Sequence, residues 1–293
     1  MMSFFFRGYF MGRSLRWLWL SLLCLFYVLY LYFQKDEENK AISQTRSNSS
    51  ALVNQKQEGN LTIDSFDKAK RHMRKIYEGY QVTFYCGCKY SDAGIDFSSC
   101  GFKSFRDEHR AKRIEWEHVV PASDFGRSFV AWREGDSRCR DRGGKTFKGR
   151  KCARLVSPEF NRMEADLYNL VPAIGEVNGL RKDYPMGLLP DSPKIFGRCQ
   201  TKIDNGFIEP REAVRGFIAR TYKYMNKSYS GHGIISRKNE KLFDAWDKQY
   251  PPDLDEMERA RRIAKIQGNI NIFVEGYERL AERKQNKSST GNP

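Results

Sequence analysis

The sequence predicts an α+β domain, strand-bearing in its first half and mainly helical after it, cross-linked by disulfides and preceded by one N-terminal transmembrane helix. Three observations carry this. Short β-favouring runs (Gln81–Tyr85, Ile114–Val120) give way downstream to long segments with apolar residues at helical spacing. Six cysteines, an even number, lie outside the apolar N-terminus: Cys86, Cys88, Cys100, Cys139, Cys152 and Cys199. Trp17 to Phe33 runs without a charged residue, just long enough to cross a bilayer.

In chain order, residues 1–34 read as a cytosolic N-terminus and signal anchor. Arg7, Arg13 and Arg16 precede the span and should stay cytosolic, while Trp17, Trp19, Tyr30 and Tyr32 sit near its two ends, where amphipathic rings favour the interface. The exit through Tyr30-Leu31-Tyr32-Phe33-Gln34 lacks the small residues of a cleavage site, which favours a retained anchor over a removed signal. Everything after the span is then exported: on the periplasmic face of an inner membrane, or periplasmic or secreted if the segment is cut. Residues 35–61, rich in Asn, Ser, Gln and charge, read as a flexible linker.

The main domain is assigned to 62–283 and a frayed polar tail to 284–293. A helix is expected from Ser65 to about Tyr80, with Phe66, Ala69, Met73, Ile76 and Tyr77 on one face. Gln81–Tyr85 and Ile114–Val120 are the strands, the second stopped by Pro121. Asp136–Arg154, dense in Arg, Lys and Gly, reads as a long surface loop. Helices follow at Pro158–Tyr168, Ile174–Leu180, Glu209–Tyr229, Lys238–Tyr250 and Asp253–Gln267. An exported domain with six cysteines points to disulfides, whose pairing spacing does not decide; zinc ligation is the rival, and Cys86-Gly87-Cys88 lacks the gap of a structural zinc pair.

Lys and Arg number 51 against 36 Asp and Glu, a formal charge of +15, which directs the search toward anionic polymers or lipid. Of four histidines, His72, His109 and His232 fall in polar or glycine-flanked segments and read as solvated. His118 stands apart, embedded with Glu117 in Ile114-Glu115-Trp116-Glu117-His118-Val119-Val120-Pro121-Ala122. Burial beside a carboxylate tunes an imidazole for proton transfer, although a satisfied core histidine has the same pattern. Glu117 and His118 are adjacent, so on a regular strand they face opposite sides, and the strand must end or distort near His118 if both serve one site. No H-E-x-x-H spacing for a zinc peptidase is present.

The segment Ile114–Gly126 resembles the active-site strand of the endonuclease I family of bacterial periplasmic and secreted nucleases, of the His-Me finger (ββα-metal) superfamily. Val82–Cys88, Asp166–Arg181, Arg215–Met225, Ala245–Tyr250 and Ile263–Asn269 resemble further blocks in the same order, covering roughly residues 62–275. The resemblance implies a non-specific endonuclease that hydrolyses DNA to 5′-phosphate products, with RNA left open, using one Mg²⁺ or another divalent ion such as Mn²⁺ or Ca²⁺. It implies His118 as general base, Glu117 and Asn178 as metal ligands, and Arg150 as the arginine that stabilises phosphate charge, a role for which Lys151 and Arg154 are close enough in sequence to compete; the protein is expected to be a monomer. Asn169 is assigned the plainer task of bonding the loop that carries the site. Double-stranded DNA would be gripped through phosphates by Arg138, Arg140, Lys145, Lys148 and Lys151, a cluster that is otherwise a solvated loop. Arg215 and Arg220 add contacts or pair within the chain. Two cysteines usual in relatives are replaced around Met257 and Tyr277. The competing reading is a membrane-tethered DNA-capture protein without catalysis, which has no need of a metal site.

Overall fold

The computed structural model describes Tyr30, residues 33–36 and residues 58–277. Two units are distinguished, Met1–Gln55 and Lys56–Pro293; of the first, Tyr30 and a helical turn at 33–36 are described. The expected span from Trp17 to Phe33 falls otherwise outside the described residues, as do most of the linker and the tail from 284. No helix among the described residues is long and apolar enough to cross a membrane.

The second unit is α+β. The Ser65 hydroxyl accepts from Lys68 N and starts α1 (Phe66–Ile76), which buries Ala69, Met73 and Ile76 as its spacing requires. The strand expected over Gln81–Tyr85 does not form. Thr83 draws the chain into a turn: its carbonyl accepts from Gly87 N (2.8 Å), its hydroxyl accepts from Cys88 N (2.9 Å), and Gly87 supplies a φ of 72°. A hairpin that periodicity did not reveal follows, β1 (Lys89–Ser91) with β2 (Gly94–Asp96). Disulfides Cys86–Cys199 and Cys88–Cys100 pin this region.

After α2 (Glu108–Ala111) comes β3 (Ile114–His118), then α3 (Ala122–Gly126), α4 (Val130–Arg133), α5 (Arg150–Val156) and α6 (Pro158–Glu164). The basic loop thus ends at Gly149 rather than Arg154, and the Cys139–Cys152 disulfide ties it to α5. β4 (Leu170–Ile174) is buried throughout and pairs antiparallel with β3, Glu117 opposite Val171 and His118 opposite Leu170. α7 (Gly175–Arg181) follows directly, so the order is strand, strand, helix. A second unforeseen hairpin joins β5 (Lys202–Asp204) to β6 (Phe207–Glu209), taking the start of the helix expected from Glu209. The helical remainder is α8 (Arg215–Ser228), α9 (Arg237–Gln249) and α10 (Leu254–Gln267), close to expectation.

α8 runs through the core, burying Ile218, Ala219, Tyr222, Tyr224 and Met225. It meets the end of α9 at Gly216, where an added Cβ would lie 1.9 Å from Tyr250 O. The end of the expected linker is part of the domain: Asn60 is fully buried, its side chain donating to Ile63 O and Arg162 O and its N–H to the Tyr229 hydroxyl. Polar composition misled there because one amide satisfies its whole capacity inside the fold. Near the far end, Tyr277 donates to Asp247 O (3.1 Å), a non-covalent hold where relatives were expected to carry a cysteine.

Candidate active site

β3 and α7 present their polar residues to one another. Glu115 and Glu117, two apart on the strand, share a face, and Asn178 and Arg181, three apart on the helix, share another. Asn178 Nδ2 donates to Glu115 Oε2 (2.8 Å), while Arg181 Nη1 donates to Glu117 Oε1 (2.7 Å). Arg181 is buried and also reaches His118 O (2.7 Å) and Val119 O (2.8 Å), fixing the chain where the strand ends. Tyr85 adds a hydrogen bond to Glu117 Oε1 (3.2 Å). Burial pushes the Glu117 carboxyl up, and Arg181 and Tyr85 oppose the rise. α7 is itself anchored by Glu176, which accepts from the backbone N–H groups of Phe105, Arg106 and Asp107.

His118 turns to the opposite face of the ribbon, and the ladder ends with it. The strand ends at His118, and Glu117 and His118 line one cleft. His118 Nε2 lies 2.8 Å from Glu164 O. A carbonyl only accepts, so Nε2 carries the proton and Nδ1 keeps a lone pair. The Phe66 ring packs on the imidazole at 4.8 Å between centroids. Burial, then the Arg150 charge, lower the imidazole pKa to about 4, against the opposite pull of Glu164.

Beyond His118, Val120 N donates to Asn169 Oδ1 (2.7 Å) and Asn169 Nδ2 returns a bond to Val120 O (3.0 Å), which is the loop-holding role expected of Asn169. Arg150 and Arg154, one turn apart on α5, both donate through Nε to the buried Glu164 carboxylate. Arg150 Nη2 is buried with no hydrogen-bond partner among the described residues.

Glu117, His118, Arg150 and Asn178 all line one cleft of ≈ 690 Å³, together with Phe66, Lys70, Arg74, Arg110 and Lys182. Among the described residues no cluster of three or more His, Cys, Asp or Glu is built to hold a metal. The donors here are of another kind, one carboxylate and one amide. Glu117 Oε1 and Asn178 Nδ2 are committed to protein partners, and among the described residues no side chain donates a hydrogen bond to Glu117 Oε2 or Asn178 Oδ1. Two hard oxygens with room for water and phosphate oxygens fit a magnesium-like ion.

Comparison with known proteins decides the family. The model of the family described as Endonuclease I matches residues 31–278. An extracellular deoxyribonuclease of Aeromonas hydrophila is 44% identical over 223 residues, spanning 73% of this chain and 89% of that protein. A periplasmic deoxyribonuclease of the same organism is 43% identical over 221 residues, 72% and 85% of the two chains. Endonuclease-1 of Buchnera aphidicola subsp. Acyrthosiphon pisum is 42% identical over 219 residues, 73% and 81%. The chain belongs to the endonuclease I family.

Several basic residues of this endonuclease sit apart from the cleft. Arg138 pairs with Asp136, and Arg140 donates back to Ser137 O and Gly144 O within its own loop. Lys151 lies over the Phe147 ring and, with Arg140, lines a separate shallow depression; Lys145 and Lys148 line neither. Arg215 pairs with Glu209, and the buried Arg220 with Asp247 and Glu256, which settles both as intrachain partners. His232, expected to be solvated, stacks on Phe129 and meets Ser128 Oγ at 2.6 Å. Glu115, Arg181, Tyr85 and Phe66 were missed. The two-residue spacing of the acids and the three-residue spacing of Asn178 and Arg181 were the available signals for the first two; nothing local marks Tyr85 or Phe66.

Proposed function

We propose that this protein is an exported, metal-dependent endonuclease that hydrolyses phosphodiester bonds of double-stranded DNA without sequence preference and leaves 5′-phosphate ends. The carrying observation is the convergence of Glu117, His118, Asn178 and Arg150 on one cleft. The antiparallel pair β3–β4 followed at once by α7 supports a His-Me finger core, and the deoxyribonuclease names of relatives support DNA as substrate and export as destination.

His118, with Nε2 held by Glu164 O, takes a proton from the attacking water at Nδ1. Glu117 and Asn178 would hold a divalent ion through their remaining oxygens; when bound, it supplies charge neutralisation at the phosphate and help for the departing 3′ oxygen. Arg150, with Nε anchored on Glu164, lines the cleft and would lend its charge to a non-bridging phosphate oxygen. The cationic rim attracts the backbone through charge and reads no bases.

The test is supercoiled plasmid incubated with the purified protein in Mg²⁺, in excess chelator, and with His118→Ala in place of the wild type. Nicking and linearisation in Mg²⁺, absent in the other two arms, is the expected result; DNA bound but uncut in Mg²⁺ by the wild type would instead make this a capture protein. A parallel arm with structured RNA defines the substrate range.

A further inference from the structure

We infer that Glu115 is a positioning residue that fixes which end of the Asn178 amide faces the cleft, and that Arg110 locks Glu115 in place. The inference rests on the cation site proposed above and asks how its weaker donor is prepared. A carboxamide has two unlike ends of similar size, and only the oxygen can ligate a cation. On a partly exposed helix the side chain turns over freely unless a neighbour discriminates between them. Glu115 discriminates absolutely. An ionised carboxylate accepts and never donates, so it takes the Asn178 NH₂ (2.8 Å) and rejects the oxygen, which is left for the ion.

Glu115 is itself immobilised. Arg110 grips it as a fork, Nε to Oε1 at 2.9 Å and Nη2 to Oε2 at 2.8 Å. Room for this clamp is made by two glycines of the same helix. At Gly179 a Cβ would lie 2.2 Å from Arg110 Nη1, and at Gly175 one would lie 2.5 Å from Arg110 O and 2.9 Å from Glu115 Oε1. The glycines bracketing Asn178 therefore have a shared reason to be there, which is to let Arg110 and Glu115 lie against α7.

The arrangement is reciprocal. The strand carries Glu117 and the group that orients Asn178; the helix carries Asn178 and the group that orients Glu117, since Arg181 holds Glu117 Oε1. Outer groups of this kind govern metal affinity rather than folding, and the half-exposed Arg110–Glu115 pair adds little to stability.

The test measures Mn²⁺ binding to the whole protein without DNA, by electron paramagnetic resonance or calorimetry. Glu115→Ala is expected to weaken Mn²⁺ binding about tenfold or more, with the metal-free melting temperature close to wild type. In an Asn178→Asp background both ends of residue 178 are oxygens, so adding Glu115→Ala should leave binding unchanged or tighten it by removing a facing carboxylate. Equal weakening by Glu115→Ala in both backgrounds would mean a general structural role and overturns the inference. Wild-type binding by Glu115→Ala, alongside weakened binding by Asn178→Ala and Glu117→Ala, also overturns it and leaves the cation site standing. Unchanged binding in Asn178→Ala and Glu117→Ala removes the cation site and this inference together.

Discussion

His118 Nε2 and the main-chain oxygen of Glu164 are 2.8 Å apart, a contact that sets the imidazole tautomer with no second side chain. Because a backbone carbonyl cannot be removed by side-chain substitution, Glu164 variants should keep the tautomer and alter only the charge around it. The imidazole must be neutral to act as base. Its pKa is lowered to about 4, so the neutral form prevails above that pH and is lost as pH falls through it. The acid limb of kcat/KM is expected near pH 4 rather than near the ordinary histidine value of about 6.5. Arg150→Met removes the positive charge that helps depress this pKa, and should move the limb upward while lowering kcat. A limb near 6.5 in the wild type would show that burial and Arg150 do not hold this imidazole below its ordinary value.

Arg150 and the basic loop should separate kinetically. Arg150 brings its charge to the cleft, so Arg150→Ala is expected to lower kcat by about 10²–10³ with a small change in KM. Lys145→Ala and Lys148→Ala lie away from the cleft. As phosphate contacts, each substitution should raise KM, spare kcat and reduce the salt dependence of binding by about one counterion. Steady-state kinetics across a salt series distinguishes the two behaviours, and an unchanged salt slope would remove that lysine from the substrate surface.

Arg220 should behave as structure. Its guanidinium is buried between Asp247 and Glu256, and Arg220→Leu takes the ion-pair partner from the buried Glu256 and leaves Asp247 to Lys223. Breaking a buried pair from one side costs about 3–5 kcal/mol, so urea unfolding should show a loss of that order. DNA affinity of the protein that remains folded should match wild type.

The parts of this molecule visible in sequence are those governed by local period or by chemistry carried in few residues. α1 and α8 to α10 were legible because an apolar stripe at helical spacing has one good packing solution. Glu117 and His118 were legible because a titratable pair amid large apolar residues is unusual. The two hairpins of three-residue strands were not, since so short a strand shows no period; β1 and β2 meet across a tight turn, and the region is pinned by Cys88–Cys100 and by Cys86–Cys199, the second joining residues 113 apart. Asn60 was read as linker because its burial depends on Arg162 and Tyr229, more than a hundred residues away. The clamps Glu115 and Arg181 lay within the motifs that were singled out. Their importance appears only when strand and helix are laid against each other, because spacing says which residues share a face and never what that face meets.

Lys182, the residue after α7, holds a φ of 54° and a ψ of −124°, a conformation that glycine adopts freely and a lysine does not. Its N–H donates to Asn178 O (3.2 Å), so the strained residue closes the helix that carries Asn178, and its side chain lies over the Tyr184 ring. Strain of this sort costs about 1–3 kcal/mol. Lys182→Gly should relieve it, offset by the greater freedom of glycine in the unfolded chain, about 0.5–1 kcal/mol. Lys182→Ala removes the same charge and ring contact and keeps the strain, which makes it the proper reference. The glycine variant is expected to melt about 2–4 °C above the alanine variant by calorimetry on metal-free protein. Melting at or below the alanine variant would mean that the turn is not strained, and that the lysine backbone there is held by contacts strong enough to make the conformation its own.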